Sequence, residues 1–219
     1  MKILTWNLER PKKENQVLLN KLAEYNADIV VLTETNSKIN LGNEYSFIAS
    51  DTLVVGYEGV KYYDGENRTT IWTKYPIKSK NRTYDSFTSV CVEIETPTGL
   101  LTIYGTIIGV FGGRGKRFKN DLENQLIDFE ILSSEKSFCI IGDLNVTFSG
   151  DIYPSYDARN KLNLAFDKLK LINLTSNIEN NIDHIVVSKS FIGNRNIKIE
   201  TWNLDKKLSD HIGVCVTII

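Results

Sequence analysis

Polar side chains stand at the ends of strand-like apolar runs throughout this chain, and this placement is the strongest constraint on its fold. Glu34 follows the run at 29–32, while Asp143 and Asn145 follow the run at 137–141. Runs of this length and β-branched composition are typical of buried strands. A strand end holds an ionisable group rigidly and partly desolvated, which suits a metal ligand or a hydrogen-bonding base. The pattern predicts chemistry at the edge of a sheet.

The chain opens with the pattern of a β-α-β unit. Apolar alternation predicts a strand at 2–8, helical spacing predicts a helix at 14–26, and a second strand follows at 29–32. Two strands joined through a helix run parallel, so Asn7 and Glu34 should lie at the same edge of an α/β sheet.

Later strands should bring further polar residues to that edge. Asp183, Asp210 and His211 precede strand-like runs instead of following them. If these strands run antiparallel to the first ones, their amino ends share an edge with the carboxyl ends of the early strands. All of the polar groups can then meet in one place. Beyond the opening unit the sequence predicts strands at 45–49, 53–57, 69–73, around 77, 87–95, 100–108, 137–141, 172–175, 182–188, 197–201 and 212–218, and helices ending near 132 and spanning 159–169.

The composition is that of a folded globular protein. At 219 residues, with 42% hydrophobic and 24% charged residues, the chain can bury a sizeable core, which excludes the disordered and fibrous classes. No repeat, low-complexity segment or linker interrupts it, so residues 1–219 are predicted to form one domain. No apolar run approaches the roughly 18 residues needed to span a bilayer, and the first residues lack the apolar part of a signal peptide, so a cytoplasmic protein is expected.

Other residues are expected to serve packing. The three cysteines lie inside apolar runs without metal-ligand spacing, as expected of reduced core residues. His184 follows Asp183 directly and, because side chains alternate along a strand, should point away from it, which favours a structural role. The three tryptophans are most simply core or sheet-edge residues.

A cluster of carboxylates repels itself unless a cation or protons compensate its charge. No Cys or His pair has zinc spacing, and Asp, Glu and Asn supply only oxygen ligands, so the expected ion is a hard one, Mg²⁺ or Mn²⁺. A magnesium ion held by one or two carboxylates and several waters is the arrangement used on phosphate esters. The Gly-rich loop V-F-G-G-R-G-K-R-F-K-N at 110–120 carries Arg114, Lys116 and Arg117, which match an anionic substrate.

Five elements in order carry a resemblance to a known family. They are T-W-N-L-E at 5–9, L-T-E-T at 32–35, G-D-L-N at 142–145, I-D-H-I-V-V-S at 182–188 and L-S-D-H at 208–211. Together they resemble the endonuclease/exonuclease/phosphatase superfamily, the group of deoxyribonuclease I-like and abasic-site endonucleases. The resemblance implies a four-layer α/β/β/α sandwich with two packed mixed β-sheets. It also implies hydrolysis of a P–O bond by in-line attack of water, without a covalent intermediate.

The resemblance assigns metal ligands position by position. Glu34 is the implied principal ligand, with Asn7, Glu9 and Asp210 close to the ion directly or through water.

The resemblance also implies the catalytic residues. Asp143 would orient or deprotonate the attacking water, and Asn145 would hold that water and the phosphate. His211, its tautomer held by Asp183, would donate to a non-bridging phosphate oxygen.

One position departs from the family pattern. Family members usually read G-T-H-L or carry a tyrosine where this chain has Ile107. Tyr104, Arg114 or Lys116 are the candidates to replace that group, and together with Arg117 they form the expected substrate-binding set. Loss of one general acid typically costs about 10²–10⁴-fold in rate, which reduces activity without abolishing it.

The expected function is that of a Mg²⁺-dependent phosphodiesterase, foremost a nuclease that acts on DNA rather than RNA. The same chemistry is compatible with a phosphatase or phosphodiesterase for small-molecule or phosphoinositide esters. A third alternative is a weakened nucleic-acid-binding homologue that has lost turnover through Ile107. Neither a membrane nor an obligate protein partner is expected.

Overall fold

Two six-stranded mixed sheets pack face to face, and helices cover their outer sides. The computed structural model describes residues 1–11, 15–54, 59–109, 115–134 and 137–219. One apolar cluster fills the space between the sheets, a second lies between one sheet and the helices α2 (Lys116–Leu132) and α3 (Tyr156–Lys168), and a third lies between the other sheet and α1 (Gln16–Tyr25). This arrangement confirms the predicted α/β/β/α sandwich.

The strands follow the predicted order with small shifts at their ends. They are β1 Lys2–Asn7, β2 Ile29–Asn36, β3 Ser46–Ala49, β4 Glu66–Thr73, β5 Ile77–Asn81, β6 Ser89–Thr96, β7 Gly99–Ile107, β8 Phe138–Asp143, β9 Leu171–Asn173, β10 Asp183–Ser188, β11 Ile197–Trp202 and β12 Gly213–Ile218. A short helix that was not predicted, α4 (Lys189–Ile192), follows β10. The strand expected at 53–57 is wrong for residues 53 and 54, which have no strand structure, and 55–57 lie outside the described residues.

The first sheet has the strand order β11-β12-β1-β2-β4-β3. Its centre is the parallel pair β1 and β2, and β12 runs antiparallel to β1. The carboxyl ends of β1 and β2 and the amino end of β12 therefore share one edge, as the sequence predicts.

The second sheet has the order β5-β6-β7-β8-β10-β9 and likewise combines a parallel pair with an antiparallel neighbour. Its parallel pair is β7 and β8, with β10 antiparallel to β8. In register, Asp183 at the start of β10 lies opposite Asp143 at the end of β8, and Ile107 at the end of β7 lies on the other side of Asp143.

The expected packing residues lie in the core. Trp6, Trp72 and Trp202 are buried, and all three cysteines are buried and free. The helix starts have ordinary local causes: Asn15 caps α1 by accepting from the amide of Val17, which satisfies a backbone donor that the helix leaves open. None of the described helices is both long and apolar enough to cross a membrane.

Gly142 allows the close approach of β7 and β8 next to Asp143. Its φ is 133°, and a Cβ at this position would lie 2.0 Å from the carbonyl oxygen of Thr106. We expect Gly142→Ala to lower the free energy of unfolding by at least about 2 kcal/mol, since it adds both a backbone clash and strain. Urea unfolding measures this change. Gly115→Ala is the matched control, because Gly115 has open space and a φ of −73°, and its effect should stay below about 1 kcal/mol.

Candidate active site at the shared sheet edge

The two sheets meet at a polar contact where their strands end. The side-chain amide of Asn7, at the end of β1, donates to Oδ2 of Asp143, at the end of β8, over 3.2 Å. Both side chains are almost fully buried. The contact therefore joins the two sheets at the predicted edge.

Asp143 is buried at this edge, and several donors hold its carboxylate. Its Oδ1 accepts from the backbone amide of Asn145 over 2.9 Å, and the Asn145 side chain donates to the carbonyl of Ile108. Burial raises the pKa of Asp143 to about 7; Asp183 adds to the rise, while His211 opposes it. A carboxyl group whose pKa is close to neutrality can take up a proton near physiological pH.

Asp183 and His211 form a hydrogen-bonded pair across the two sheets. Nδ1 of His211 lies 2.6 Å from Oδ2 of Asp183, and only 13% of the histidine side chain is exposed. Burial lowers the pKa of His211, but the carboxylates of Asp183, Asp143 and Asp210 outweigh it and raise the pKa to about 10. The imidazole is therefore protonated at neutral pH, and Nε2 is left as its second donor.

Three side chains hold the backbone that carries His211. The amide of Asn203 donates to the carbonyls of Ser209 and His211, both over 2.7 Å, and its oxygen accepts from the amide of Leu208. The indole of Trp6 donates to the same His211 carbonyl over 3.1 Å. The hydroxyl of Ser209 donates to the carbonyl of Asn7 over 2.7 Å, which ties the loop to β1.

Glu34 lies in β2 with a φ of 45°, in the left-handed region that non-glycine residues rarely adopt. Its Oε1 is 3.5 Å from Nη1 of Arg68, a guanidinium only 1% exposed that also donates to the hydroxyl of Tyr62. Burial raises the pKa of Glu34, while Arg68 lowers it. A backbone in a sparsely populated conformation beside a partly compensated carboxylate is typical of a functional position.

Glu9 and Asp210 are the more exposed carboxylates of the edge. Oε2 of Glu9 accepts from the backbone amide of Asp210 over 3.0 Å, so the end of β1 again holds the loop before β12. Oδ1 of Asp210 lies 3.7 Å from Nε2 of His211.

Among the described residues, one group of side chains is close enough together to hold a metal ion. Asp143, Asp183 and His211 offer ligand atoms that all lie within 4.8 Å of one another. Asp183 and His211 of this group are already bonded to each other. The predicted ligands Glu34, Glu9 and Asp210 offer carboxylate oxygens, the donors that suit a hard cation, and they stay a prediction.

The structure describes three of the four predicted substrate-binding residues, Tyr104, Lys116 and Arg117. Tyr104 is wrong: it is completely buried against α2, and its hydroxyl donates to Asp128 over 2.7 Å. Side chains alternate along a strand, so a residue three positions from Ile107 faces the opposite side of the sheet, and this spacing was a usable signal.

Within the described residues, the basic segment supplies fewer cations for a substrate than predicted. Arg117 pairs with Asp85 over 2.8 Å and with Asp121. Lys116, the first residue of α2, is exposed. Arg114 lies outside the described residues. Ile107 is buried at the end of β7.

Sequence reasoning missed how three supporting residues act. Arg68 and Ser209 contact chain segments distant in sequence, while Asn203 bonds to the loop that precedes β12. Ser209 was part of the quoted L-S-D-H element, and its place directly before Asp210 was the only signal.

His184 is structural, as predicted from its position. It is fully buried, and Nε2 lies 2.9 Å from the carbonyl of Val146 and 3.1 Å from that of Asn181. Both partners are acceptors, so Nε2 carries the proton, while Nδ1 lies 3.0 Å from the Thr175 hydroxyl. The ring thereby links the loop after Asn145 to the loop before Asp183.

The fold and the site together define a phosphoester hydrolase. The model of the Endonuclease/Exonuclease/phosphatase family matches residues 4–211, so the chain belongs to that family. Members of the family typically depend on a divalent metal. No curated protein shows significant sequence similarity to this chain.

Solved structures support the fold assignment. An AP endonuclease from Archaeoglobus fulgidus has a TM-score of 0.73 at 14% identity, covering 100% of this chain and 99% of that one. A 3'-5' exonuclease from Neisseria meningitidis has a TM-score of 0.69 at 14% identity, with coverage of 100% and 99%. The human Nocturnin catalytic domain has a TM-score of 0.71 at 12% identity, with coverage of 100% and 94%. At these identities the likeness establishes the fold alone.

His184 should make stability depend on pH. Burial lowers its pKa from the usual 6.5 to about 4 in the folded protein. The folded state therefore binds fewer protons than the unfolded state in this range, so the stabilisation is complete above pH 6.5 and is lost as pH falls through 4. The loss is on the order of 3 kcal/mol. Urea unfolding of wild type and His184→Gln between pH 7 and 4 measures it; parallel pH curves would contradict the prediction.

Asn203 should control the placement of His211. Asn203→Asp keeps the acceptor for Leu208 but places a carboxylate oxygen against the carbonyls of Ser209 and His211, so we expect phosphoester hydrolysis to fall by about 10- to 100-fold. The His211 imidazole signals in NMR spectra should shift as well. Asn196→Asp, at the exposed opposite end of β11, is the control. Unchanged rates and signals in Asn203→Asp would refute this role.

Proposed function

We propose that residues 1–219 act as one catalytic domain, a Mg²⁺-dependent nuclease that hydrolyses phosphodiester bonds of DNA. The observation that carries this proposal is the convergence of Glu34, Asp143 and the Asp183–His211 pair at the shared edge of the two sheets. Membership of the Endonuclease/Exonuclease/phosphatase family supports phosphoester hydrolysis. An AP endonuclease and a 3'-5' exonuclease among the similar folds favour a nucleic acid as substrate.

The proposed metal ligands are Glu34 and Asn7, with Glu9 and Asp210 beside them. These donors offer only oxygen, which favours Mg²⁺ or Mn²⁺ over zinc. When bound, such a cation would polarise a phosphoryl oxygen as a Lewis acid. Arg68 already compensates part of the Glu34 charge, so the residual negative charge is moderate.

The chain's own residues would perform the proton transfers. Asp143 accepts a proton from the attacking water, and its pKa near 7 suits a base at neutral pH. Asn145, held by its bond to the Ile108 carbonyl, positions the water and the phosphate.

His211 would stabilise the charge that develops on the phosphate. Its Nδ1 is bonded to Asp183, so Nε2 is the donor that points to a non-bridging oxygen. The new bond forms between phosphorus and the water oxygen while the bond to the leaving oxygen breaks in line, and the leaving oxygen takes a proton from solvent water. Tyr104 takes no part, because it is buried on the other face of its strand.

A substrate panel tests the proposal. Plasmid DNA, single-stranded DNA, abasic-site DNA and RNA are incubated with Mg²⁺ or with EDTA, beside His211→Ala. We expect cutting of DNA that requires the metal and falls by about 10²–10⁴-fold in the variant. Hydrolysis restricted to small phosphate esters would establish the phosphatase alternative instead. Nucleic-acid binding without turnover would establish the inactive homologue.

The metal assignment has a separate readout. Glu34→Gln should weaken Mg²⁺ binding in calorimetry, because the substitution removes one carboxylate from the proposed ligands. Glu130→Gln, on the exposed surface of α2, is the matched control and should bind the metal as wild type does. Equal affinities in the two variants would refute Glu34 as a ligand.

A further inference from the structure

A groove outside the proposed ligand and catalytic set lies along the seam between the sheets. Its volume is about 480 Å³, and it opens between the end of β3 and the segment that joins β5 to β6. The residues that line it are Ala49, Ser50, Asp51, Lys80, Asn81, Arg82, Thr83, Tyr84, Ser86, Ser89 and Val90. Nearly all of them are polar, and no large exposed apolar side chain lines it.

Backbone contacts place this seam groove close to the active site. The amide of Ser50 donates to the carbonyl of Thr69, the neighbour of the Arg68 that contacts Glu34. The hydroxyl of Thr69 donates to the carbonyl of Thr88, the residue directly before β6 of the other sheet. The groove therefore continues the polar edge of the two sheets away from Glu34.

Contacts in the second sheet also place the seam groove close to the active site. Ser89, in the groove wall, lies opposite Thr106 in register. The next residue of β7, Ile107, lies opposite Asp143. One strand step thus separates the groove wall from the level of the proposed base.

The groove carries two cations that the proposed reaction does not use. Lys80 and Arg82 line it, both are exposed, and neither has an ion-pair partner among the residues that the structure describes. One carboxylate, Asp51, also lines the groove and accepts from the hydroxyl of Ser86 over 2.6 Å. The ionisable side chains of the lining therefore leave an excess of one positive charge, together with several hydroxyl and amide donors.

We propose that the seam groove binds the phosphate backbone of the nucleic-acid strand at a position displaced from the scissile bond. Lys80 and Arg82 bind phosphate oxygens there, and the groove thereby selects a polymer over a small ester. The inference rests on the proposed nuclease function, since it names how that active site holds a long substrate. Contacts of this type add affinity that depends on salt and does not depend on base sequence.

The test compares a polymer with a small substrate in the double variant Lys80→Ala/Arg82→Ala. For a 20-nucleotide DNA we expect KM to rise roughly 10-fold with kcat unchanged. The slope of log Kd against log salt should decrease by about 1.4 to 1.8 for two lost phosphate contacts. Hydrolysis of bis(p-nitrophenyl) phosphate should stay at the wild-type level, because that substrate does not reach the groove.

Two further variants serve as comparisons, one expected to strengthen DNA binding and one expected to have no effect. Asp51→Asn removes the one carboxylate of the groove and should lower KM for the DNA by about 2-fold. Lys168→Ala removes a cation on α3 that pairs with Glu130, and it should change neither substrate. An unchanged KM and salt slope in the double variant would overturn the proposal, and so would an equal loss of activity on both substrates.

The groove proposal and the nuclease proposal can fail independently of each other. Fluorescence polarisation of a labelled DNA in EDTA measures binding where no metal-dependent cutting takes place. If the wild type binds DNA without ever cutting it, the nuclease proposal fails while the groove remains supported by a weaker Kd in the double variant. If the wild type cuts DNA and the double variant binds it equally well, the groove proposal fails alone.

Discussion

The apolar contact between the two sheets is the constraint on which the site depends. Residues such as Ile3, Val31, Ile141 and Val214 fill this interface and are completely buried. A few positions further along the same strands, the side chains change to amides and carboxylates. Because β-branched residues packed between two sheets allow little movement, the strand ends are held in place before any ligand binds. The bond between Asn7 and Asp143 lies where this rigid interface ends.

The carboxylates at this strand end are neutralised to different degrees. Asp143 and Asp183 are buried opposite each other, and the protonated His211 balances them from the loop before β12. Glu34 faces the buried guanidinium of Arg68 instead. Asp143 and Asp183 thus share the His211 cation, while Arg68 neutralises the charge of Glu34 only in part. This difference separates the proposed proton-transfer side from the proposed metal side.

Three residues of this edge have a left-handed backbone conformation. Glu9, Glu34 and Asn145 all have positive φ values, of 54°, 45° and 51°. Such conformations cost on the order of 1–3 kcal/mol each and persist only where surrounding contacts hold them. The contacts are visible here: Glu9 holds the Asp210 amide, and Asn145 bonds to both Asp143 and Ile108.

Much of this architecture could be predicted from the sequence because its signals are local. Apolar runs located most strands, and the residues directly before or after them identified Glu34, Asp143, Asp183 and His211 as neighbours at one edge. The parallel pair β1 and β2 followed from the β-α-β opening, whereas the antiparallel orientation of the later strands was a condition that the structure met. The buried role of His184 followed from simple alternation along β10.

Other features depended on contacts between distant segments, and only the tertiary structure decided them. β4 and β5 are consecutive in the chain but belong to different sheets, which no local pattern indicates. Alternation places Tyr104 and Ile107 on opposite faces of the sheet, but only the packing of α2 decided which face the helix covers. Arg68 gained its contact with Glu34 only when β4 paired with β2, and Asn203 gained its partners when the loop before β12 folded back on it. The sequence by itself determined which residues end the strands, since periodicity is written along the chain. The tertiary structure decided which of those ends meet and which cations compensate them, because both depend on how the two sheets pack.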